Sequence, residues 1–170
     1  MKGRDNMEIN ILNANDNDNL FIADVCRKTI PLYDDFLPGF FENQAKYFDV
    51  QIPKGYEFYI IYSNEEKAGF ICNKQLDSDT MYMAMLYLLP EYYRSGIGSK
   101  VISLLETNFK ERNIKNFILL AHKKADWAVS FYLKNNFNKI ANNRDEVKNF
   151  KGGIVEPLYF EETILMHKEI

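Results

Sequence analysis

The chain has two cysteines, five prolines and a single tryptophan among its 170 residues, and it lacks any apolar run near the ~20 residues of a membrane-spanning helix. Cys26 and Cys72 are far apart in sequence, and neither has a ligand-type neighbour at metal-binding spacing. That excludes a disulfide scaffold and a zinc-type motif, and both read as buried small apolar side chains in a reducing compartment. No Gly is followed at P-loop spacing by Gly-Lys-Ser/Thr. The dinucleotide fingerprint fails too, because its third small residue would fall on Val101. An excess of positive charge is also missing: 21 Lys and Arg stand against 24 Asp and Glu, a formal charge of -3, which argues against a general nucleic-acid surface. The opening Met-Lys-Gly-Arg-Asp-Asn has no apolar core of the signal-peptide kind, and the expected location is the cytoplasm.

What is present is ordinary for a folded domain, with 46% hydrophobic and 26% charged residues, but aromatics at 15% are high. The length suits one domain over residues 1–170, able to bury about 70% of its unfolded surface. Alternation predicts a strand over Met7 to Leu12. A helix follows through Leu20, Ile22, Val25 and Cys26, broken at Pro31. Strands are expected over Glu57 to Ser63 and Ala68 to Asn73, joined by a turn at Asn64-Glu65-Glu66. Asp77-Ser78-Asp79 turns the chain into a strand over Met81 to Leu89. Val101, Ile102, Leu104, Leu105 and Phe109 then share one helical face. Phe117 to Leu120 reads as a buried strand. A helix holding Ala128, Phe131 and Tyr132 follows it, then a short strand, a polar loop around Asn142 to Gly153, and a last strand near Thr163 to His167. This order implies an α+β, three-layer domain with a mixed, largely antiparallel sheet and helices on both faces.

Between the strand ending at Leu89 and the helix of Val101 lies Pro-Glu-Tyr-Tyr-Arg-Ser-Gly-Ile-Gly-Ser-Lys. Two glycines permit a tight turn, and Arg94 to Ser99 would point successive N–H groups at an anion over the helix N-terminus. On its own this turn is equally a plain strand-to-helix connection. Together with Ala125 to Phe137, however, it resembles the GNAT superfamily of acyl-CoA-dependent N-acetyltransferases. That family has Gln/Arg-x-x-Gly-x-Gly/Ala after its fourth strand and an Asn-x-x-Ala-x-x-Phe-Tyr-x-x-x-Gly-Phe-like helix after its fifth. Here the motifs fall on Tyr93 to Gly98 and on Ala125 to Phe137, and the resemblance is specific over Met81 to Ile140. The chain departs from the pattern at Tyr93, where the family has Gln or Arg; at Ala125, where it has Asn; and at Asn136, where it has Gly. Asn is the next-best residue for a left-handed helix end.

The resemblance implies acetyl-CoA as cosubstrate, no metal, and transfer of the acetyl group to a primary amine of a small molecule or peptide by direct attack in a ternary complex. It implies main-chain contacts to the pantetheine arm and acetyl oxygen at Leu88 and Leu89. Tyr93, Arg94, Ser95, Gly96, Ile97, Gly98 and Ser99 would form the pyrophosphate cradle. Tyr132, matching the Tyr of the family's Phe-Tyr pair, would be the general acid, since a phenol of pKa ~10 stays protonated at neutral pH and can donate to a departing thiolate. A carboxylate that many members carry on the fourth strand is absent from Met81 to Leu89, leaving Glu57, Asp79, Glu91 and His122 as substitutes for a base. His122 also reads as a solvated loop residue beside Lys123 and Lys124. Asp34, Asp35 and Glu42, with Tyr33 and Phe40, lie where the family's first two helices roof the acceptor cleft; a mildly acidic chain suits a cationic amine. Homodimers are frequent in the family. The competing reading is a non-catalytic acyl-CoA-binding or sensing module on the same fold.

Overall fold

The structure, a computed structural model, describes residues 7–170; the reading of the opening six residues lies outside them. A seven-stranded sheet has the order β1-β2-β3-β4-β5-β7-β6. Its strands are β1 (Ile9–Asn13), β2 (Glu57–Ser63), β3 (Glu66–Asp77), β4 (Thr80–Leu88), β5 (Asn116–His122), β6 (Asn138–Ala141) and β7 (Thr163–Glu169). The helices are α1 (Asn19–Tyr33), α2 (Phe40–Phe48), α3 (Ile97–Glu111), α4 (Asp126–Lys134) and the one-turn α5 (Arg144–Val147). The β4–β5 pair is parallel, while β1–β2, β2–β3, β5–β7 and β6–β7 are antiparallel, so the sheet is mixed and largely antiparallel as expected.

The chain folds into two compact units. One holds the residues up to Asn73 with Met85–Leu105, the other Lys74–Ala84 with Glu106–Ile170. In the first, Asn64 and Glu65 both take left-handed backbone (φ 49° and 73°), the two-residue turn that matches strand twist and closes the β2–β3 hairpin. Phe58 and Phe70 stack 6.4 Å apart, and Phe48 of α2 meets both edge-on, which buries the apolar face of α2. Asn19 ties the two helices by donating from Nδ2 to the carbonyls of Phe48 and Asp49. Cys26 and Cys72 are buried, and burial pushes the Cys26 thiol up to about 12 and that of Cys72 higher still.

Pro31 does not end α1, contrary to expectation; the helix runs on to Tyr33. A proline costs most in mid-helix, and here only two residues follow it. Tyr33 is held by ring contacts with Phe36 and Phe41, and its carbonyl accepts from the Phe36 and Leu37 N–H groups.

In the second unit β5 alternates across the sheet. Phe117 meets Phe109 of α3 at 5.0 Å and Phe137 at 5.1 Å, while Ile118 faces a cluster with Tyr82, Ala141, Val147, Val155, Tyr159 and Leu165. The second cluster is covered by the segment between β6 and β7. Sequence predicted a polar loop there, and the structure shows α5 followed by two 3-10 turns. Val147 and Val155, both fully buried, fasten it to the sheet. Lys151, left-handed at φ 46°, reaches the β3–β4 turn, pairing with Asp77 at 2.7 Å and with Asp79, and bonding the Thr80 hydroxyl at 2.7 Å.

That ion-pair group has a pH signature. Partial burial opposes ionisation of Asp77, but bonds from Lys151, Thr80 and the Asp79 N–H outweigh it and hold the carboxyl down to about 2. A depressed carboxylate stabilises the fold above its ordinary pKa of 3.8 and loses that contribution as pH falls through about 2. Replacement of Lys151 by Met should therefore cost on the order of 1 kcal/mol at pH 7 in urea unfolding, with the deficit fading between pH 4 and 2.

Candidate active site

The end of β4 is set by its pairing with β3. The Leu89 N–H donates to the Ala68 carbonyl at 2.8 Å, and the Leu89 carbonyl accepts from the Tyr92 N–H at 2.9 Å, so both main-chain groups of Leu89 are engaged. Successive residues of a strand present their N–H and C=O to opposite edges. With Leu89 turned to β3, the main-chain groups of Leu88 point to the edge away from β3. Of the two leucines read from sequence, Leu88 is the one with outward backbone. The parallel pairing of β4 with β5 joins Thr80–Tyr82 to Asn116–Ile118, whereas β4 itself continues to Leu88.

Gly69 makes that approach to β3 possible. A Cβ there would lie 2.2 Å from the Tyr87 carbonyl oxygen and 2.9 Å from the Leu88 Cα, closer than real contacts allow. Tyr87 projects on the opposite face from Leu88, and its ring lies 6.3 Å from Tyr33, 5.1 Å from Phe41 and 6.0 Å from Phe70.

From Leu89 a single 3-10 turn (Pro90–Tyr92) leads to the motif, with the Tyr93 N–H bonded to the Pro90 carbonyl. Arg94 (φ 56°) and Gly96 (φ 87°) are both left-handed and flank Ser95, whose hydroxyl donates to the Tyr92 carbonyl at 2.5 Å. Alternation through left-handed residues curls successive N–H groups toward one point, an anion-binding nest. α3 starts immediately beyond, at Ile97. Its first helical bond runs from the Lys100 N–H to the Gly96 carbonyl, which leaves the N–H groups of Ile97, Gly98 and Ser99 without a helical acceptor; that of Ile97 has only a 3.5 Å contact with Ser95 Oγ. A Cβ at Gly96 would meet nothing within 4 Å, and a hollow of about 220 Å³ lined by Met7, Ile9, Ser95, Gly96, Ile97 and Lys100 flanks the turn. The donor set fits a pyrophosphate: free N–H groups, the positive end of a 15-residue helix and open space.

Tyr93 is a departure from the motif with a structural use. Its side chain lies beside Thr29 of α1, a buried residue whose hydroxyl donates to the Val25 carbonyl. Burial, the larger influence, still raises the Tyr93 phenol above its ordinary value.

In the second unit, α4 carries Phe131 and Tyr132 in its last turns. The Tyr132 ring packs edge-on to Phe137 at 5.6 Å and is half-buried, so part of it faces solvent. Asn136 ends the helix at φ 65°, the left-handed conformation expected of it. Ala125 is buried, and its carbonyl accepts the Ala128 and Val129 N–H groups that open α4.

Of the four candidate bases, His122, Asp79 and Glu57 have partners, whereas Glu91 is exposed on the 3-10 turn after β4. His122 is buried, not solvated. Its Nδ1 accepts the Lys124 N–H at 3.1 Å, and burial, followed by the charges of Lys124 and Lys123, lowers its pKa against the opposing pull of Glu162. Asp79 is held by Lys151, and Glu57 accepts the Tyr59 hydroxyl at 3.1 Å. Glu42 pairs with Lys46 on an exposed face of α2. Among the described residues no group of three or more His, Cys, Asp or Glu could hold a metal ion. No described helix is long and apolar enough to cross a membrane.

The Acetyltransferase (GNAT) family pattern matches residues 27–137, more than half of the chain, and the protein belongs to that family. No curated protein matches it. Solved structures share the fold. The PaiA N-acetyltransferase from Thermoplasma acidophilum in complex with coenzyme A superposes with a TM-score of 0.70 at 19% identity, covering 96% of this chain and 100% of that one. An acetyltransferase of the GNAT family from Staphylococcus aureus Mu50 gives 0.67 at 19% identity over 95% of this chain and 99% of its own. An acetyltransferase from Streptococcus agalactiae 2603 gives 0.69 at 17% identity over 98% and 99%.

The contact at Gly69 yields a direct test. Gly69→Ala should push the Tyr87–Leu88 main chain off β3, costing about 1–3 kcal/mol in thermal unfolding. Unchanged stability would mean that β4 accommodates a Cβ there.

Proposed function

We propose that the protein is an N-acetyltransferase that binds acetyl-CoA at the turn opening α3 and transfers the acetyl group to a primary amine of a small molecule or peptide. The observation that carries this reading is the left-handed turn at Arg94 and Gly96, which runs into three helical N–H groups without helical acceptors at Ile97, Gly98 and Ser99. The family, and a coenzyme A complex of the same fold, support it.

When bound, acetyl-CoA supplies a thioester carbonyl. The residues of the chain then do three things. The Arg94–Ser99 turn offsets the pyrophosphate charge with oriented N–H groups that need no rearrangement. Leu88 offers its outward main-chain groups to the pantetheine amide and the acetyl oxygen. Tyr132 donates its phenolic proton to the departing sulfur as the carbon–sulfur bond breaks, the attacking amine's proton goes to solvent or a base, and solvent reprotonates the phenol. Direct attack by the amine suits a chain whose two thiols are buried and protonated.

One observation favours a second reading, an acyl-CoA-binding module without turnover: β4 carries no carboxylate. Two variants separate the readings. Tyr132→Phe should lower kcat about 10²-fold with acetyl-CoA affinity nearly unchanged, because it removes a proton donor and keeps the ring. Full turnover in that variant would remove Tyr132 from the chemistry. Gly96→Val should weaken coenzyme A binding at least tenfold in calorimetry, since a β-branched residue resists φ 87° and crowds the approach of the pyrophosphate. Equal affinity would displace the cradle.

A further inference from the structure

The acceptor is the part of the reaction no motif describes, and three observations bear on it. The first is an aromatic wall beside Leu88. Tyr87 precedes Leu88 by one residue, and its ring joins those of Tyr33, Phe36, Phe40, Phe41 and Phe70 in a chain of contacts 4.7 to 6.3 Å apart. Tyr33, Phe41 and Phe70 are buried, whereas Phe36, Phe40 and Tyr87 are half-buried, so the wall ends in a partly exposed aromatic rim. An amine reaching an acyl group held by Leu88 backbone meets this rim with whatever lies next to its nitrogen.

The second observation concerns charge. The three cations of α1 and α2 are all paired: Arg27 with Asp49, Lys28 with Asp24 at 2.8 Å, and Lys46 with Glu42 at 2.9 Å. Asp34 and Asp35 are exposed, directly precede Phe36, and have no cationic partner among the described residues; Asp34 accepts only the Gly39 N–H, at 3.3 Å. An acceptor carboxylate would find no available cation on these helices and two carboxylates beside the rim. The third concerns protons. β4 has no carboxylate, and of the four candidate bases His122, Asp79 and Glu57 are engaged as described above, which leaves exposed Glu91, beyond the end of the strand. An acceptor that loses its own proton readily is then favoured. At pH 7 roughly one lysine side chain in 2,500 is neutral, against about one α-amine in eight.

From these we propose that the preferred acceptor is the free N-terminus of a peptide whose first residue is aromatic or bulky and aliphatic, with the Phe36–Phe40–Tyr87 rim reading that side chain. The proposal rests on the N-acetyltransferase reading above. An α-amine amide combines the low pKa, the absence of an adjacent carboxylate and an apolar group on the neighbouring carbon.

The test is thiol release at pH 7 with saturating acetyl-CoA and five acceptors: Phe-Gly-Gly amide, Gly-Gly-Gly amide, free phenylalanine, a lysine blocked at both ends, and spermidine. The expected order puts Phe-Gly-Gly amide first, about tenfold or more above Gly-Gly-Gly amide in kcat/KM and further above the other three. Phe36→Ala should shrink the preference between the two peptides about tenfold through KM, and Phe36→Leu should keep most of it. Blocked lysine, spermidine or free phenylalanine as the best acceptor would overturn the assignment and leave the transferase reading intact, as would equal use of the two peptides. No release from any amine, with acetyl-CoA still bound in calorimetry, would overturn the transferase reading and this inference with it.

Discussion

The hydrogen bond from the Leu89 N–H to the Ala68 carbonyl is the constraint on which the site depends. It sets which edge of β4 each main-chain group addresses, and so turns the Leu88 backbone outward while Tyr87 projects onto the α1–α2 face. A shift of one residue would exchange these roles, since strand side chains and main-chain groups both alternate with period two. Gly69 belongs to the same constraint, because only hydrogen in place of a Cβ lets β3 come this near to Tyr87 and Leu88. The outward main chain of Leu88 is thereby supported by a register, and the register by one glycine.

Much of this architecture was legible in the residues. Alternation gave β2 its bounds, and of the stripe expected along α3 Val101, Ile102, Leu105 and Phe109 are buried while Leu104 is half-buried. The α3 turn could be read because its glycines have a backbone reason to be there. Other features were hidden for identifiable reasons. β3 runs on past Asn73 to Asp77, but three of its last four residues are polar and none is buried, which hides the strand's apolar signal. Pro31 read as a stop because propensity carries no information about where in a helix tertiary contacts will tolerate it. The segment from Asn142 to Glu162 folds into pieces too short for any periodicity to show, and Val147 and Val155 anchor it one by one.

At the site the limit was one of direction. The sequence offers Leu88 and Leu89 as equals, and only pairing with Ala68 separates them. Tyr93 stands at the motif position of a phosphate ligand, yet its side chain lies beside Thr29 of α1. His122 sits between a strand and two lysines and reads as solvated. Its burial follows from its place opposite Thr163 on β7, a long-range pairing that local sequence does not encode. Long-range register was the missing information in each of these cases.

The two cysteines have a practical consequence for the chemistry of the chain in solution. Both thiols are buried, with pKa values raised far above the working pH, so almost no thiolate exists to attack a disulfide reagent. Native protein should therefore be silent toward aromatic disulfide dyes. A colour developed in its presence would report a small-molecule thiol alone, and slow colour from the protein by itself would time the opening of the layer between α1 and β3.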